Sequence, residues 1–537
     1  MTEGNHPSTG GRAVDGFLVA LVGLLVCLSS LPPLDGWWMA RRSGLTYSGI
    51  PLLNAPDLPF YLHYIRQVTA GQWIFEYPLL SGVGTPVVNL FWLAVGWLGR
   101  LAGTPPLETF HLARVLLLVP LAGSARFAAG RFLGPEQECR VGVGLLLFGS
   151  GFGGLVALVK GAGARLPSDV EIAEFTAFGS AITSPHLVAS WMCFLVTVPL
   201  ALTALVRRSR RKAAIASAIS AVWFQFHPFY APLIWVVVGA AALWIGRGNW
   251  RAIPWQPACL VVLGGVPAVL YHAPLVLAAN REWMLDSNVL PAEPISLLLV
   301  GLGGALILAP RGFSILRARE RAGRPAALPA ELLVLWAVIQ LGASFLPLGF
   351  ERRMLQGALV PVVLLAVPAI ASLWQQLGGR GEWGRTIRWP LVLLTYGSGL
   401  LYFLGASLRG VHDVRPSVRY FSSDLARLLV WYEQRVPGAH VLLAPPSLAT
   451  VFAGWGGATV YVGEHWTHSR TERQRSQEVD ALYRDRDPGR IGRFLKSKGI
   501  DVIYVGPAER ALGGAVEQVP GLRLLAQADE RRLWGVP

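Results

Sequence analysis

Charge is what this chain has little of. Asp, Glu, Lys and Arg make up 15% of its 537 residues, against 53% hydrophobic, and a soluble fold of that length needs more charge to cover its surface. An ordinary soluble protein is therefore excluded in favour of a polytopic membrane protein. Cysteine is scarce as well. Cys27, Cys139, Cys193 and Cys259 lie in or beside apolar runs without metal-ligand spacing, which excludes a disulfide framework and a cysteine-based zinc site. No repeat of fixed period is present, and residues 409–537 contain neither a GxGxxG turn nor a P-loop, so nothing in that region indicates a nucleotide site. The first apolar run has no small-x-small cleavage site after it, which favours an uncleaved signal anchor over a removed signal peptide.

What charge there is has a pattern. The net charge of +15 would suit nucleic acid, but Lys and Arg fall mainly in short clusters between apolar runs, where the positive-inside rule puts them; no nucleic-acid partner is expected. Runs long enough to cross a bilayer begin at 15–34 and end at 389–408. The strongest basic cluster, RRSRRK at 207–212, belongs inside, and counting crossings places it there only if one earlier run stays on the outer surface. The run 84–103 is the choice, since it carries Asn89, Arg100 and two Trp suited to an interface. RFLGPEQECR, RGNWR, PRGFSILRARERAGR and GGRGEWGRTIR then also fall inside.

The expected architecture is an all-α membrane domain, 15–408, of about 11 spans after a cytoplasmic tail, 1–14. A first external loop covers 35–109 and a second 161–184, with smaller ones around 227–228 and at 280–293 and 348–353. Beyond it, 409–537 reads as a small external α/β domain: VLLAPP, ATVYVG, DVIYVGP and LRLLAQ alternate with SDLARLLVWYEQRV and GRIGRFLKSKG, and the order predicts a mostly parallel sheet. FAGWGGA at 452–458 reads as a turn before a strand, and HWTHSRTERQRSQE at 465–478 as a polar loop leading into a helix.

Ionisable residues at an apolar outer face are costly unless used, and four places hold them. In APDLPFYLHYIRQ, Asp57 starts a short helix with Phe60, Tyr64 and Val68 on one face; it is a candidate base toward an acceptor hydroxyl and, equally, an N-cap before Pro59. In PSDVEIAEFTAFGSAITSPH, Asp169 and Glu171 stand one residue apart, a usable oxygen pair for Mg²⁺ or Mn²⁺, with Glu174 and His186 close by; an ordinary solvated loop explains them too. In LGFERRML, Arg352 and Arg353 follow Glu351 on the side where arginines are unexpected, which suits a lipid phosphate, while snorkelling or pairing with Glu351 is the alternative. His227-Pro228 sits at a hairpin between two spans, where a plain turn is the simpler reading.

Taken together these residues resemble the GT-C class of polytopic glycosyltransferases, with distant similarity to protein mannosyltransferases. SDVEIAEF looks like the acid-x-Glu motif of the oligosaccharyltransferase catalytic subunit. NAPDLPFYLHYIRQVTAGQW, FHLARV, SDVEIAEF, SPH, VYVGEH and DVIYVGP look like a set of bacterial membrane proteins of the same layout. The resemblance implies an enzyme of the bacterial inner membrane that transfers a sugar from a polyprenyl-phosphate carrier to a glycan, lipid or protein hydroxyl on the outer face, with inversion. It implies Asp57 as base, Arg114, Arg352 and Arg353 on the phosphate, Glu174 and His186 at the substrate, and Asp169 and Glu171 either on a divalent ion or orienting the acceptor; no other cofactor is indicated. Two departures stand out. Many GT-C enzymes have two adjacent acids in the first loop, where this chain has Asn54 and Asp57, with Glu76 further on. The C-terminal domain lacks the WWD-type motif, so protein N-glycosylation is not implied. Two alternatives remain: a non-catalytic protein that keeps the scaffold and assists envelope-polymer assembly or transport, and a transporter, against which stands the lack of opposite-charge pairs in span centres.

Overall fold

The computed structural model describes the chain apart from residues 1–14, 83–86, 161–164, 278–290, 325, 349, 380, 437–439 and 465–468. The expected cytoplasmic tail thus lies outside the described residues, as do parts of the expected loops 161–184 and 280–293 and the start of the polar stretch 465–478.

Seven described helices are long and apolar enough to cross a membrane: Gly16–Ser43, Pro106–Phe132, Glu136–Lys160, Pro185–Val206, Trp255–Pro274, Ile295–Arg321 and Glu351–Gly378. Other runs fold as shorter helices, among them Arg210–Phe226, Tyr230–Gly246 and Ala330–Ala343. The run chosen for the outer surface becomes Leu90–Ala102. Asn89 caps its start by accepting from the Trp92 amide, and Gly103, at φ 63°, ends it. Thirteen residues span only about 20 Å at 1.5 Å each, short of a hydrocarbon core of about 30 Å.

Small residues let the helices approach closely, as apolar surroundings require. Helix Ile295–Arg321 lies along Leu359–Gly378, and a Cβ on Gly312 would come 1.8 Å from the Leu365 carbonyl oxygen. Two of the basic clusters meet at one end of the domain, where Arg319 grips Glu138 through two bonds of 2.6 and 2.7 Å.

The C-terminal domain is built on a five-stranded sheet. Its strands are β3 (Val441–Leu443), β4 (Thr459–Val460), β5 (Val502–Val505), β6 (Arg523–Ala528) and β7 (Arg531–Gly535), in the order β4-β3-β5-β7-β6. β3 runs parallel to β4 and β5, but β7 is antiparallel to β5 and β6, so the sheet is mixed rather than mostly parallel. The strand missed in the sequence, RRLWG, follows LLAQA after the two residues Asp529 and Glu530, and Asp529 takes φ 53°, the left-handed value a tight hairpin needs. FAGWGGA is also not a turn: it supplies the second half of helix Pro446–Gly456, and only Gly457, at φ 72°, turns.

The first loop and this domain share backbone. β1 (Thr46–Tyr47) pairs with β2 (Tyr420–Phe421), and residues 78–81 lie along 460–463 through three main-chain bonds of 2.7–2.9 Å.

Candidate functional site

The helix Asp57–Thr69 buries Leu58, Leu62, Ile65 and Val68 on one stripe, with His63, Tyr64 and Gln67 also buried. Gly96 of the neighbouring short helix lets it settle against Val68. Asn54, at φ 52°, occupies the left-handed region that Asn tolerates better than most residues, and its carbonyl accepts the Asp57 amide at 3.0 Å. Asp57 is not the N-cap. Pro56 holds that position without a side-chain bond, and Asp57 is the first helical residue, half-buried.

Around Asp57 the chain gathers an aromatic and basic cluster. Asn54, Asp57, Tyr61, Phe110, Thr183, Ser184 and His186 line one small cavity. His186 opens helix Pro185–Val206; its Nδ1 pairs with the Ser184 hydroxyl at 2.6 Å, and its Nε2 lies 3.3 Å from the Tyr61 hydroxyl. Tyr61 stacks on Trp92, centroids 4.3 Å apart at 18°. His227, buried at the hairpin, stacks on His186 at 5.3 Å and 13° and on Tyr230 at 5.6 Å and 27°, with the Phe226 ring edge-on at 5.2 Å. Both ring nitrogens of His227 are buried with no hydrogen-bond partner among the described residues.

Arg353 completes the cluster. Its guanidinium carbon is 4.6 Å from the centre of the Phe229 ring. Burial pushes the Tyr61 hydroxyl well above the usual phenol range, the charge of Asp57 adds to this, Arg353 opposes it and Glu174 contributes further. Asp57, Arg353 and Glu174 thus share one electrostatic neighbourhood, and the charges of Asp57 and Arg353 both reach the His186 ring. The turn that carries Arg353, Glu351–Leu355, hangs from a buried chain of bonds. Trp336 Nε1 donates to Gln340, Gln340 to the Met354 and Gln356 carbonyls, and Ser190 to the Gln356 side chain, while Trp223 Nε1 donates to Ser190. A connected buried network of this kind favours one geometry, with only the Gln356 Nε2 of these side chains left without a partner among the described residues.

Arg352 faces elsewhere. Nη2 donates to the Glu171 carbonyl at 3.0 Å, and the head group lies 3.9 Å from the Glu171 carboxylate and 3.6 Å from Glu293. Glu293, buried, sits 3.5 Å from Arg165 as well; burial raises its carboxyl, with Arg352 and Arg165 opposing. Arg165, Glu171, Tyr402 and Leu52 are among the residues lining a cavity of about 400 Å³ beside this network.

Asp169 and Glu171 do not form a shared ligand pair. They lie on one helical turn, Ser168–Glu171, where residues two apart point to different sides. Asp169 is wholly buried, and its Oδ2 accepts the amides of Gly151 at 2.8 Å and Gly153 at 3.1 Å. Burial pushes its carboxyl up to about 7, although those two amides pull the other way. Glu171 instead accepts the Leu166 amide at 2.7 Å. Among the described residues no group of three or more His, Cys, Asp or Glu could hold a metal ion.

Arg114 is set into the helix packing. It is buried, and Nη1 bonds the carbonyls of Ser29 at 3.1 Å and Ala181 at 2.7 Å, which ties the first helix to the second loop. The set expected from sequence therefore divides: Asp57 and His186 line one cavity, Glu174 and Arg353 act by charge on Tyr61 of that cavity, Arg352 and Glu171 form a neighbouring network, and Asp169 and Arg114 are internal ties. His227, Tyr61 and Tyr230 join the first group. The sequence signal for His227 was its place at a hairpin on the same side as Asp57.

No family model and no curated protein sequence matches the chain. Solved structures do. ArnT from Cupriavidus metallidurans bound to undecaprenyl phosphate superposes with a TM-score of 0.55 at 16% identity, over 98% of this chain and 99% of that one. The oligosaccharyltransferase of Archaeoglobus fulgidus in complex with Zn and sulfate gives 0.52 at 11%, over 91% and 67%. The mycobacterial arabinofuranosyltransferase AftD gives 0.50 at 14%, over 98% of this chain and 40% of that one. The common fold is that of GT-C membrane proteins.

Proposed function

With the GT-C fold as premise, we propose that the chain is a membrane glycosyltransferase that moves a sugar from a polyprenyl-phosphate carrier to an acceptor hydroxyl on the extracytoplasmic face, with inversion. The observation that supports this is one small cavity lined by Asp57 and His186, with the charges of Asp57 and Arg353 both acting on the His186 ring. The undecaprenyl phosphate bound by ArnT supports a polyprenyl-phosphate donor.

In the reaction the acceptor oxygen attacks the anomeric carbon from the face opposite the phosphate. As that bond forms, the acceptor proton passes to the Asp57 carboxylate. The bond from the anomeric carbon to the phosphate oxygen breaks, its electron pair stays on the carrier phosphate, and Arg353 stabilises the growing charge. His186, steadied by Ser184 and Tyr61, and His227 are the proposed partners of sugar hydroxyls. Arg352 with Glu171 and Glu293 braces the turn behind Arg353. The split of Asp169 from Glu171 does not fit a shared ion, so no step is routed through a metal.

The test is transfer from a labelled polyprenyl-phosphate sugar by the protein in vesicles, with the anomeric configuration of the product determined. Retention of configuration, or no donor turnover with any common hexose or pentose, would sink the reading.

A further inference from the structure

We propose that Arg66 is a positioning residue for Asp57: it clamps the helix Asp57–Thr69 onto the C-terminal domain, so that the domain holds the base in place. The inference rests on the reading of Asp57 as base.

The last four carbonyls of a helix have no partner within it and carry the negative end of its dipole. For helix Pro446–Gly456 three of them, at Ala453, Gly454 and Trp455, are taken by the helix of the base. His63 Nδ1 pairs with the Ala453 oxygen at 3.1 Å, Arg66 Nη1 donates to the Gly454 oxygen, and Arg66 Nη2 donates to the Trp455 oxygen at 2.8 Å. Arg66 Nε reaches Glu433 of the same domain at 2.8 Å. The planar fork of arginine suits this set, because its donors are already arranged.

Shape agrees with charge. Gly454 stands inside a helix, where glycine is unfavourable, and the reason lies across the contact: a Cβ there would come 2.6 Å from the Pro59 Cα, backbone two residues from Asp57. Gly457 turns the chain directly after, with Arg66 Cδ 3.1 Å from where its Cβ would be. FAGWGGA is thus a docking surface for the base's helix. Glu433 is the lesser part, since its side chain is 42% exposed and exposed ion pairs contribute little.

The test uses the full chain in lipid nanodiscs, with hydrogen exchange over 57–69 and steady-state kinetics as separate readings. Gly454→Ala and Arg66→Gln are expected to speed exchange over 57–69 and to lower kcat by about tenfold or more, as displaced catalytic groups do, with KM for the lipid donor unchanged. Arg66→Lys restores part of kcat, and Glu433→Gln leaves both readings near wild type. Unchanged exchange in Gly454→Ala and Arg66→Gln overturns the clamp whatever the activity. Faster exchange with unchanged kcat overturns its positioning role. If wild type transfers no sugar, the proposed function falls, and the exchange reading alone decides the clamp.

Discussion

Arg352 and Arg353 are neighbours in sequence and turn to different partners: Arg352 to the Glu171 carbonyl and Glu293, Arg353 to the Phe229 ring and the electrostatic field it shares with Asp57. Replacing each by Ala should separate their roles. Arg353→Ala is expected to lower kcat by about a hundredfold or more, the scale of losing a group that stabilises developing charge. Arg352→Ala should cost less activity and more thermal stability, because it leaves Glu293 buried with one guanidinium instead of two. Kinetics and a melting curve on both variants check this.

The parallel rings of His186 and His227 lead to a second expectation. His227→Phe keeps a ring between His186 and Tyr230 but removes both nitrogens. The melting temperature should stay near wild type while the rate of transfer falls about tenfold, the cost of one lost hydrogen bond to a substrate. Loss of folding instead would assign His227 to structure.

Asp169 gives a pH dependence with a definite sign. Its folded value of about 7 lies above the ordinary 3.8, so between those values the folded state binds the extra proton. Stability is then greatest below about pH 4, declines as pH rises toward 7, and levels off above. Asp169→Asn keeps an acceptor for the Gly151 and Gly153 amides and cannot ionise. Its thermal midpoint should change less than that of wild type across this window, and an identical pH profile for the two would refute the assignment.

Helix Leu359–Gly378, which follows the turn of Arg353, packs closely against Ile295–Arg321. A side chain at Gly312 has no room beside the Leu365 carbonyl. Gly312→Val should lower stability by about 1–3 kcal/mol, as overpacking does, and disturb the helix below Arg353. A thermal shift of the purified protein reads it.

Much of this arrangement could be seen in the sequence where a residue broke a pattern. Asp57 beside an apolar run and the pair Arg352 and Arg353 on the side expected to lie opposite the basic clusters stood out for that reason, and Asp57 and Arg353 belong to the proposed site. What needed coordinates was contact between distant segments. The amide partners of Asp169 lie at Gly151 and Gly153, in a stretch read as part of a span, so an internal tie looked like a metal ligand. Arg114 looked like a phosphate ligand because nothing local shows that its head group ends at Ser29 and Ala181. Glu293 and Arg165 meet Arg352 only through the fold. β7 was missed because RRLWG carries two arginines and too short an apolar pattern to register. FAGWGGA was read as a turn because three glycines usually mean one; here Gly454 exists to admit Pro59.

The most direct measurement is transfer of labelled sugar from a polyprenyl-phosphate donor by wild type and by Asp57→Asn, in vesicles of matched protein content. Wild type should glycosylate its acceptor with inversion, and Asp57→Asn should lose about a hundredfold or more of kcat, within the range for removing a general base, with donor binding retained. Full turnover by a correctly folded Asp57→Asn would contradict the role of Asp57 as base.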